Sequence, residues 1–381
     1  MNAPGKAQAY TCPCYRFGDF GGRFAPELQM DALQSLTVSF EKTRLDGAFC
    51  EGLPFNSTVR PSPLQLAKNL TLLAGGAFIW LKREDLCEYG SENTLSILGQ
   101  ILFARRIGKT EIVTECGSAS HGIVCAKTCE RLKLSCTIFM AESDANSQAR
   151  AIQLMRIFGA SVVLVQANNG LGTLRSALNE AIRYSVCRID SAYHVMCGPI
   201  GPHPLPTITR HFQSILGEET KAQFAERNGG HLPDAIVSPV GTGSGAVGMF
   251  YPFIQCETVQ LVGVEAMEAA PLSRGSVGVL YGCKTYVLQN TDGQILPSRS
   301  AAPDMALPVA GPELAHWRST KRVTFVAESD SDAFEGIELL GKQEGILAGL
   351  STGYAISKSM SLARELGAGK HIVLLIRLAN G

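Results

Sequence analysis

The sequence predicts an α/β protein built on mostly parallel sheets. Strand-like and helix-like segments alternate from about residue 77 to the end of the chain, which is typical of βα units. Glycine-containing turns follow several of the apolar strands. At 381 residues with 45% hydrophobic content, the chain can bury more than one core. We therefore expect two doubly wound lobes.

The first well-marked unit is a strand followed by a helix. Residues 78–86 form an apolar run that ends in charged side chains. Leu95, Leu98 and Ile101 then recur at helical spacing, which predicts a helix after a junction at residues 89–94. Such junctions place side chains and free backbone N–H groups at the mouth of a site.

The same reasoning gives the remaining elements. Runs rich in Val, Ile and Leu predict strands, and apolar residues three or four apart predict helices. The predicted strands are 111–115, 135–140, 161–165, 235–240, 259–264, 323–327 and 371–376, and the predicted helices are 31–41, one from about 121, 148–158, 174–186, 246–254 and 331–344.

Composition excludes several classes of function. Lys+Arg and Asp+Glu both number 34, so no overall field favours nucleic acid or an anionic membrane. The first residues lack the apolar core of a signal peptide, and no run is long enough to span a bilayer. We expect a cytoplasmic protein. Its twelve cysteines form no pair of CxxC motifs and do not cluster with the histidines, so we expect free thiols and no metal site.

Several segments together resemble one enzyme family, the β subunit of tryptophan synthase, which has fold type II and uses pyridoxal phosphate. They are 17–27, 60–64, 81–86, 201–206 and 248–253, and the resemblance runs from about residue 16 to the end. It implies two lobes with the active site between them. By resemblance the N-terminal lobe comprises 1–58 plus 92–206, with a mobile subdomain at about 108–194. The C-terminal lobe comprises 59–91 plus 207–381.

The sequence departs from the family where the cofactor is held. The family's junction carries a histidine and a lysine, and that lysine forms an imine with pyridoxal phosphate. Here Glu92 and Asn93 align with them. An amide cannot form an imine, so we expect no covalent cofactor at Asn93. The family serine that bonds the ring nitrogen aligns with Leu378, and a glutamate beside the ring aligns with Ser351.

Other family positions keep polar chemistry. In the family a glutamate at the position of Glu115 is the acid/base, and the loop after it binds the substrate carboxylate through backbone N–H groups. That loop matches Cys116, Gly117, Ser118, Ala119, Ser120 and His121. We expect burial to raise the pKa of Glu115, so that it exchanges protons, with Glu92 as a second acid/base and His121 as a further catalytic residue. Asn93 is expected to contact substrate.

A glycine-rich turn after a strand predicts an anion site. Its residues are Gly241, Thr242, Gly243, Ser244 and Gly245, and the equivalent family loop holds the cofactor phosphate. Asp304 aligns with an aspartate that gates the family's substrate.

Three functions remain open on these residues. The first is an enzyme of specialised metabolism that works without pyridoxal phosphate, by acid/base chemistry on a carbonyl substrate: dehydration, aldol or Knoevenagel-type condensation, or cyclisation. The second is a catalytically dead pseudo-subunit that regulates a partner or binds a metabolite. The third is pyridoxal phosphate held non-covalently or by another lysine, such as Lys82 or Lys284.

We expect a small-molecule substrate and no tryptophan synthesis. The resemblance implies a homodimer and allows an α-type partner subunit.

Overall fold

The structure is a computed structural model that describes residues 15–51, 60–87, 93–117, 119–166 and 173–378. The strands in chain order are β1 (Arg16–Phe17), β2 (Phe20–Gly21), β3 (Leu64–Leu66), β4 (Phe78–Arg83), β5 (Glu111–Cys116), β6 (Ser135–Ala141), β7 (Ser161–Val165), β8 (Ala192–His194), β9 (Ala235–Pro239), β10 (Gln260–Ala266), β11 (Ser276–Leu280), β12 (Cys283–Val287), β13 (Thr324–Glu328) and β14 (His371–Ile376). The helices are α1 (Met30–Arg44), α2 (Gly47–Glu51), α3 (Lys68–Ala74), α4 (Thr94–Arg106), α5 (Ala119–Leu132), α6 (Glu142–Ser147), α7 (Ala149–Ile157), α8 (Leu174–Val186), α9 (Leu205–Gln213), α10 (Ile215–Arg227), α11 (Ser244–Phe250), α12 (Pro271–Arg274), α13 (Pro312–Ser319), α14 (Asp330–Glu344) and α15 (Leu350–Leu366).

The larger sheet has six strands in the order β13-β10-β9-β14-β4-β3. All neighbours are parallel except the edge pair β3–β4. Both faces are covered, as parallel sheets require. On β9, Ile236 packs into one core, while Ala235 and Val237 pack into the core on the other face. This sheet therefore presents the carboxyl ends of β9, β14 and β4 side by side.

The second sheet is parallel throughout, in the order β7-β6-β5-β8. Its strands also alternate between two cores, with Ile138 and Met140 on one face and Phe139 on the other. In the register of β5 with β8, Val113 lies opposite His194. This register brings the carboxyl ends of β5 and β8 together.

A small antiparallel sheet, β1-β2-β12-β11, was not predicted from the sequence. Leu280 pairs with Cys283, so Tyr281 and Gly282 form a two-residue turn, and both have positive φ (51° and 84°). Such turns favour Asn-Gly or Gly-Gly. Because the sequence has Tyr-Gly here, the usual hairpin signal is absent.

The mostly parallel α/β architecture predicted from the sequence is confirmed. Residues 161–165, 174–186 and 371–376 have the predicted bounds, and the helix expected at 148–158 is observed as α7, preceded by the short helix α6 that was not predicted. The lobe boundaries given above stay a prediction. Among the described residues, no helix is long and apolar enough to cross a membrane.

Candidate active site

Glu115 lies near the carboxyl end of β5 and is completely buried. Its Oε2 lies 2.6 Å from Nε2 of His194, and its Oε1 accepts a hydrogen bond from the backbone N–H of Cys197 at 2.9 Å. Burial by itself raises the pKa of this carboxyl, but the charge of His194 and the hydrogen bonds from His194 and Cys197 outweigh it. The pKa falls to about 2. Glu115 is therefore a carboxylate at neutral pH.

This result corrects the expectation of a raised pKa. Sequence reasoning foresaw burial of Glu115, which does oppose its charge, but could not foresee the two donors. A carboxylate that accepts hydrogen bonds from an imidazole N–H and a backbone N–H does not take up a proton near neutral pH. Glu115 is thus suited to hold and polarise its partner.

His194 is the residue that sequence reasoning missed. It ends β8, and its ring nitrogen Nε2 faces Glu115 because β8 pairs with β5. Its Nδ1 makes no hydrogen bond to any described residue. An ionised Glu115 keeps the ring proton on Nε2, so a neutral His194 presents a lone pair at Nδ1. No signal in the sequence marks His194, since its pairing with Glu115 depends on strand order.

His194 also lines a cavity of about 850 Å³. Helix α1 and helix α8 contribute to its walls, and Met196, Leu205 and Tyr281 contribute around the histidine. Ligand cavities of this size are typical for small molecules with a largely apolar body. The Glu115–His194 pair therefore lies at the wall of a space that can admit a substrate.

Tyr281 holds a strained position beside the pair. Its φ of 51° is unusual for an aromatic residue, because positive φ brings Cβ close to the backbone. Burial raises the pKa of its hydroxyl, which the carboxylate of Glu115 raises further while the nearby Arg175 lowers it. Strained backbone of this kind is found preferentially at functional sites.

The segment after Glu115 begins a helix earlier than expected. Ala119, Ser120 and His121 form the first turn of α5, and Gly117 precedes it. Gly117 also accepts a hydrogen bond through its carbonyl from the side chain of Gln148. Ser118 and Glu92 lie outside the described residues, so their predicted roles are not tested.

His121 and Cys116 point into the protein interior. Nε2 of His121 lies 2.8 Å from Oγ1 of Thr114, and burial lowers the pKa of its imidazole to about 4. Cys116 packs in the core under α5, and burial raises the pKa of its thiol to about 12. Both environments are those of packed core residues. The catalytic role of His121 and the substrate contact of Cys116 remain predictions.

The glycine-rich loop 241–245 lies directly beside the pair. Oγ1 of Thr242 donates to the carbonyl of Cys197 at 3.0 Å, and the N–H of that same residue bonds Glu115. Gly243 has a φ of 93°, which glycine adopts without strain. The hydroxyl of Ser244 is buried and has no hydrogen-bond partner among the described residues. A buried hydroxyl without a partner indicates a place for a polar ligand group.

Asp304 lies on the other side of this loop. A Cβ on Gly241 would come within 2.3 Å of the Asp304 carbonyl, so the two backbones touch. The carboxylate of Asp304 is 3.1 Å from Nη1 of Arg377, the residue after β14. Leu378 follows and is 38% exposed, while Ser351 is buried in the first turn of α15. The structure thus brings the loop, Asp304 and the end of β14 together.

Asn93 immediately precedes α4, and its carbonyl accepts a hydrogen bond from the N–H of Ile97 at 2.9 Å. Helix α4 packs against α5, whose first turn follows Glu115. No group of three or more His, Cys, Asp or Glu side chains in the described part of the chain is arranged to hold a metal ion.

The profile of the family described as "Pyridoxal-phosphate dependent enzyme" matches residues 56–377. The chain belongs to this family. It is 42% identical over 371 residues to the tryptophan synthase of Saccharomyces cerevisiae, covering 95% of this chain and 52% of that protein. The chain therefore spans about half the length of this curated relative. The crystal structure of a fungal L-serine ammonia-lyase from Rhizomucor miehei matches with a TM-score of 0.65 at 18% identity, over 84% of this chain and 94% of that one.

The residues of this family member fit only part of a pyridoxal phosphate molecule. The buried hydroxyl of Ser244 and the turn at Gly243 suit an anionic group. On the alignment that the resemblance gives, however, position 93 offers an amide and position 378 offers a hydrocarbon. The amide cannot form an imine, and the hydrocarbon cannot hydrogen-bond a ring nitrogen. On this alignment we expect no covalently held pyridoxal phosphate, and this stays a prediction.

Lys82 and Lys284 are the alternative lysines named above for the attachment of pyridoxal phosphate. Nζ of Lys82 is fully buried and donates to the carbonyl of Ser62 at 2.8 Å, to Glu219 at 3.0 Å and to Gln223 at 2.9 Å. Lys284 lies on β12 in the antiparallel sheet, paired in register with Gly21. Lys82 is committed to a buried polar cluster, and Lys284 lies outside both parallel sheets.

Proposed function

We propose that this protein is a lyase-type enzyme of the pyridoxal-phosphate dependent family that works without a covalently bound cofactor. Its chemistry would be proton transfer on a carbonyl substrate, such as dehydration, aldol or Knoevenagel-type condensation, or cyclisation. The observation that carries the proposal is the pair Glu115–His194 at the wall of a cavity. We also propose that it does not make tryptophan.

The roles follow from the protonation states. Glu115 stays ionised, fixes the ring of His194 and stabilises the positive charge that develops when that ring takes up a proton. Nδ1 of His194 would accept the proton from the carbon next to the substrate carbonyl and return it in a later step. A carboxylate-oriented histidine is a recurrent general base in enzymes. Both parts of the pair act as a unit.

Charge that develops on the substrate oxygen also needs a partner. The loop 241–245 contacts the same backbone segment as Glu115, and the unpartnered hydroxyl of Ser244 is its one buried side-chain donor. Hydrogen-bond donors preorganised around a developing oxyanion contribute strongly to catalysis. We propose this loop as the polar end of the substrate site.

The first test asks whether a cofactor is bound. Purified protein is incubated with pyridoxal phosphate, reduced with borohydride and examined by absorbance and intact mass. A featureless visible spectrum and an unchanged mass support the proposal. A mass increase that corresponds to the reduced cofactor would refute it, and mass analysis of proteolytic peptides would then locate the lysine.

The second test measures proton abstraction without knowledge of the natural substrate. A panel of small ketones and 2-oxo acids is incubated with enzyme in D₂O, and exchange of the α-hydrogens is followed by NMR. Glu115→Gln and His194→Gln should each lower the exchange rate by about 10³-fold or more, because each removes the base or its orientation.

A matched control lies on the same strand. Glu111 begins β5 and accepts hydrogen bonds from Tyr184 and Thr137, away from the pair. Glu111→Gln should keep the wild-type exchange rate. Folded variants at residues 115 and 194 with wild-type rates would exclude the pair as the catalytic base. Equal inactivity of every variant and of wild type would favour a non-catalytic subunit instead.

A further inference from the structure

The residue after β14, Arg377, carries a charge and contacts Asp304, whose backbone touches the start of the glycine-rich loop. In the larger sheet β14 lies between β9 and β4, so Arg377 follows the middle one of three adjacent strand ends. Ligands of open α/β sheets bind in the crevice outside the carboxyl ends of the strands. Arg377 is therefore in the position where a substrate group is expected.

The backbone of Arg377 is held rigidly. Its N–H donates to Oγ1 of Thr352 at 3.0 Å, and its carbonyl accepts from that hydroxyl at 3.2 Å. The N–H of Gly349 donates to the same carbonyl at 2.8 Å. These three bonds fix the point from which the side chain extends. A fixed origin reduces the entropy that a charged side chain loses when it binds a ligand.

The guanidinium group is largely removed from water and already faces a carboxylate. Its side chain is 11% exposed, and Nη1 contacts Oδ2 of Asp304, which is 19% exposed. Asp304 lies in the turn that touches Gly241 at the start of the glycine-rich loop. The contact demonstrates that a carboxylate fits against Arg377 at this place.

We infer that Arg377 is the receptor for a carboxylate group of the substrate, and that Asp304 occupies this receptor until the substrate displaces it. The inference deepens the proposed function, on which it rests, by naming the class of substrate. A guanidinium binds a carboxylate best through two parallel hydrogen bonds, which a free ligand can adopt more readily than a side chain tied to the backbone. One guanidinium neutralises the single charge of a carboxylate, whereas the second charge of a phosphate ester would be left without a cation beside the displaced Asp304.

The test uses three probes of similar shape: 3-phenylpropionate, 3-phenylpropanamide and phenyl phosphate. Their dissociation constants are measured by calorimetry on the whole chain without added cofactor. We expect wild type to bind the carboxylate at least about tenfold more tightly than the neutral amide, as for a hydrogen bond to a charged group, and more tightly than phenyl phosphate.

Two substitutions at the receptor separate charge from geometry. Arg377→Met removes the charge and should bring the ratio of carboxylate to amide affinity to about one. Arg377→Lys keeps the charge but loses the planar guanidinium that can make two parallel hydrogen bonds, so the ratio of carboxylate to amide affinity should be intermediate. A folded Arg377→Met protein that keeps the wild-type ratio would overturn the inference. So would a wild type that binds neither probe, or that prefers phenyl phosphate.

A third variant does not depend on the stability of the Arg377 variants. Asp304→Asn removes the internal competitor, so carboxylate affinity should rise severalfold while amide affinity stays the same. Unchanged or weaker carboxylate binding would overturn the inference. Pyridoxal phosphate trapped by borohydride would refute the proposed function. The ratio of carboxylate to amide affinity tests the role of Arg377 independently of that result.

Discussion

The stability of this protein should depend on pH through Glu115 in a specific way. Glu115 has a pKa near 2 in the folded chain and an ordinary value of 4.5. At about 1.36 kcal/mol for each pH unit, this difference contributes about 3 kcal/mol to the free energy of unfolding at neutral pH. That amount is a large part of the stability of an average domain.

The direction of the effect follows from the lowered pKa. An unfolded chain takes up a proton at this carboxyl near pH 4.5, whereas the folded chain takes it up only near pH 2. The contribution is therefore complete above about pH 5.5 and is lost as the pH falls from about 5 to about 2. Acid should thus weaken the fold at the site itself.

The assay is urea unfolding of wild type and Glu115→Gln, followed by circular dichroism between about pH 7 and pH 3. The amide does not titrate, so this variant should be less stable than wild type at pH 7 and the difference should shrink towards pH 3. His194→Gln keeps the carboxylate but removes the imidazole that bonds it, so the loss of stability in acid should be smaller in this variant than in wild type. Identical pH profiles for wild type and Glu115→Gln would refute the assigned ionisation of Glu115.

Three further outcomes are expected. Burial raises the pKa of Glu265 to about 7 although Ser273 and Leu272 donate hydrogen bonds to it, so stability should fall as the pH rises from about 5 to 8, and thermal unfolding of Glu265→Gln should lack this fall. Lys82→Met breaks a buried ion pair and should lower the free energy of unfolding, measured by chemical denaturation, by about 3 kcal/mol. A decrease below about 1 kcal/mol would contradict a structural role for Lys82 in that ion pair. At Gly99 an added Cβ would come within 2.3 Å of the ring of Phe212, so Gly99→Ala should lower stability by at least about 2 kcal/mol, and an unchanged denaturation midpoint would contradict the close packing of α4 on α9.

The sequence was a reliable guide to the parallel sheets. Residues 161–165 and 371–376 combine β-branched and leucine residues in short runs, and their period and length leave little choice of structure. The hairpin of β11 and β12 was missed because its turn has Tyr281 where a hairpin usually has asparagine or glycine. Helices α9 and α10 were also missed; α9 carries Pro206 in its first turn, and a proline in sequence usually signals a turn or a helix boundary.

The candidate site was predictable only in part. Glu115 and the loop 241–245 stand next to strand ends, where a local pattern suffices to find them. His194 could not be found in this way, because its contact with Glu115 depends on the pairing of β8 with β5. Arg377 also follows a predicted strand, but the position of that strand between β9 and β4 is a property of sheet order. The predicted direction of the pKa shift at Glu115 was wrong because the residues that bond it are distant in sequence.

The short chain of hydrogen bonds from Thr242 through Cys197 to Glu115 has a consequence for ligand affinity. Coupling along this chain of bonds would mean that a ligand favouring the present position of Thr242 also favours the arrangement in which Glu115 is ionised and His194 is bound to it. By thermodynamic reciprocity, a medium that protonates Glu115 must then weaken that ligand by the same factor. Proton uptake and ligand release at this site are two sides of one equilibrium.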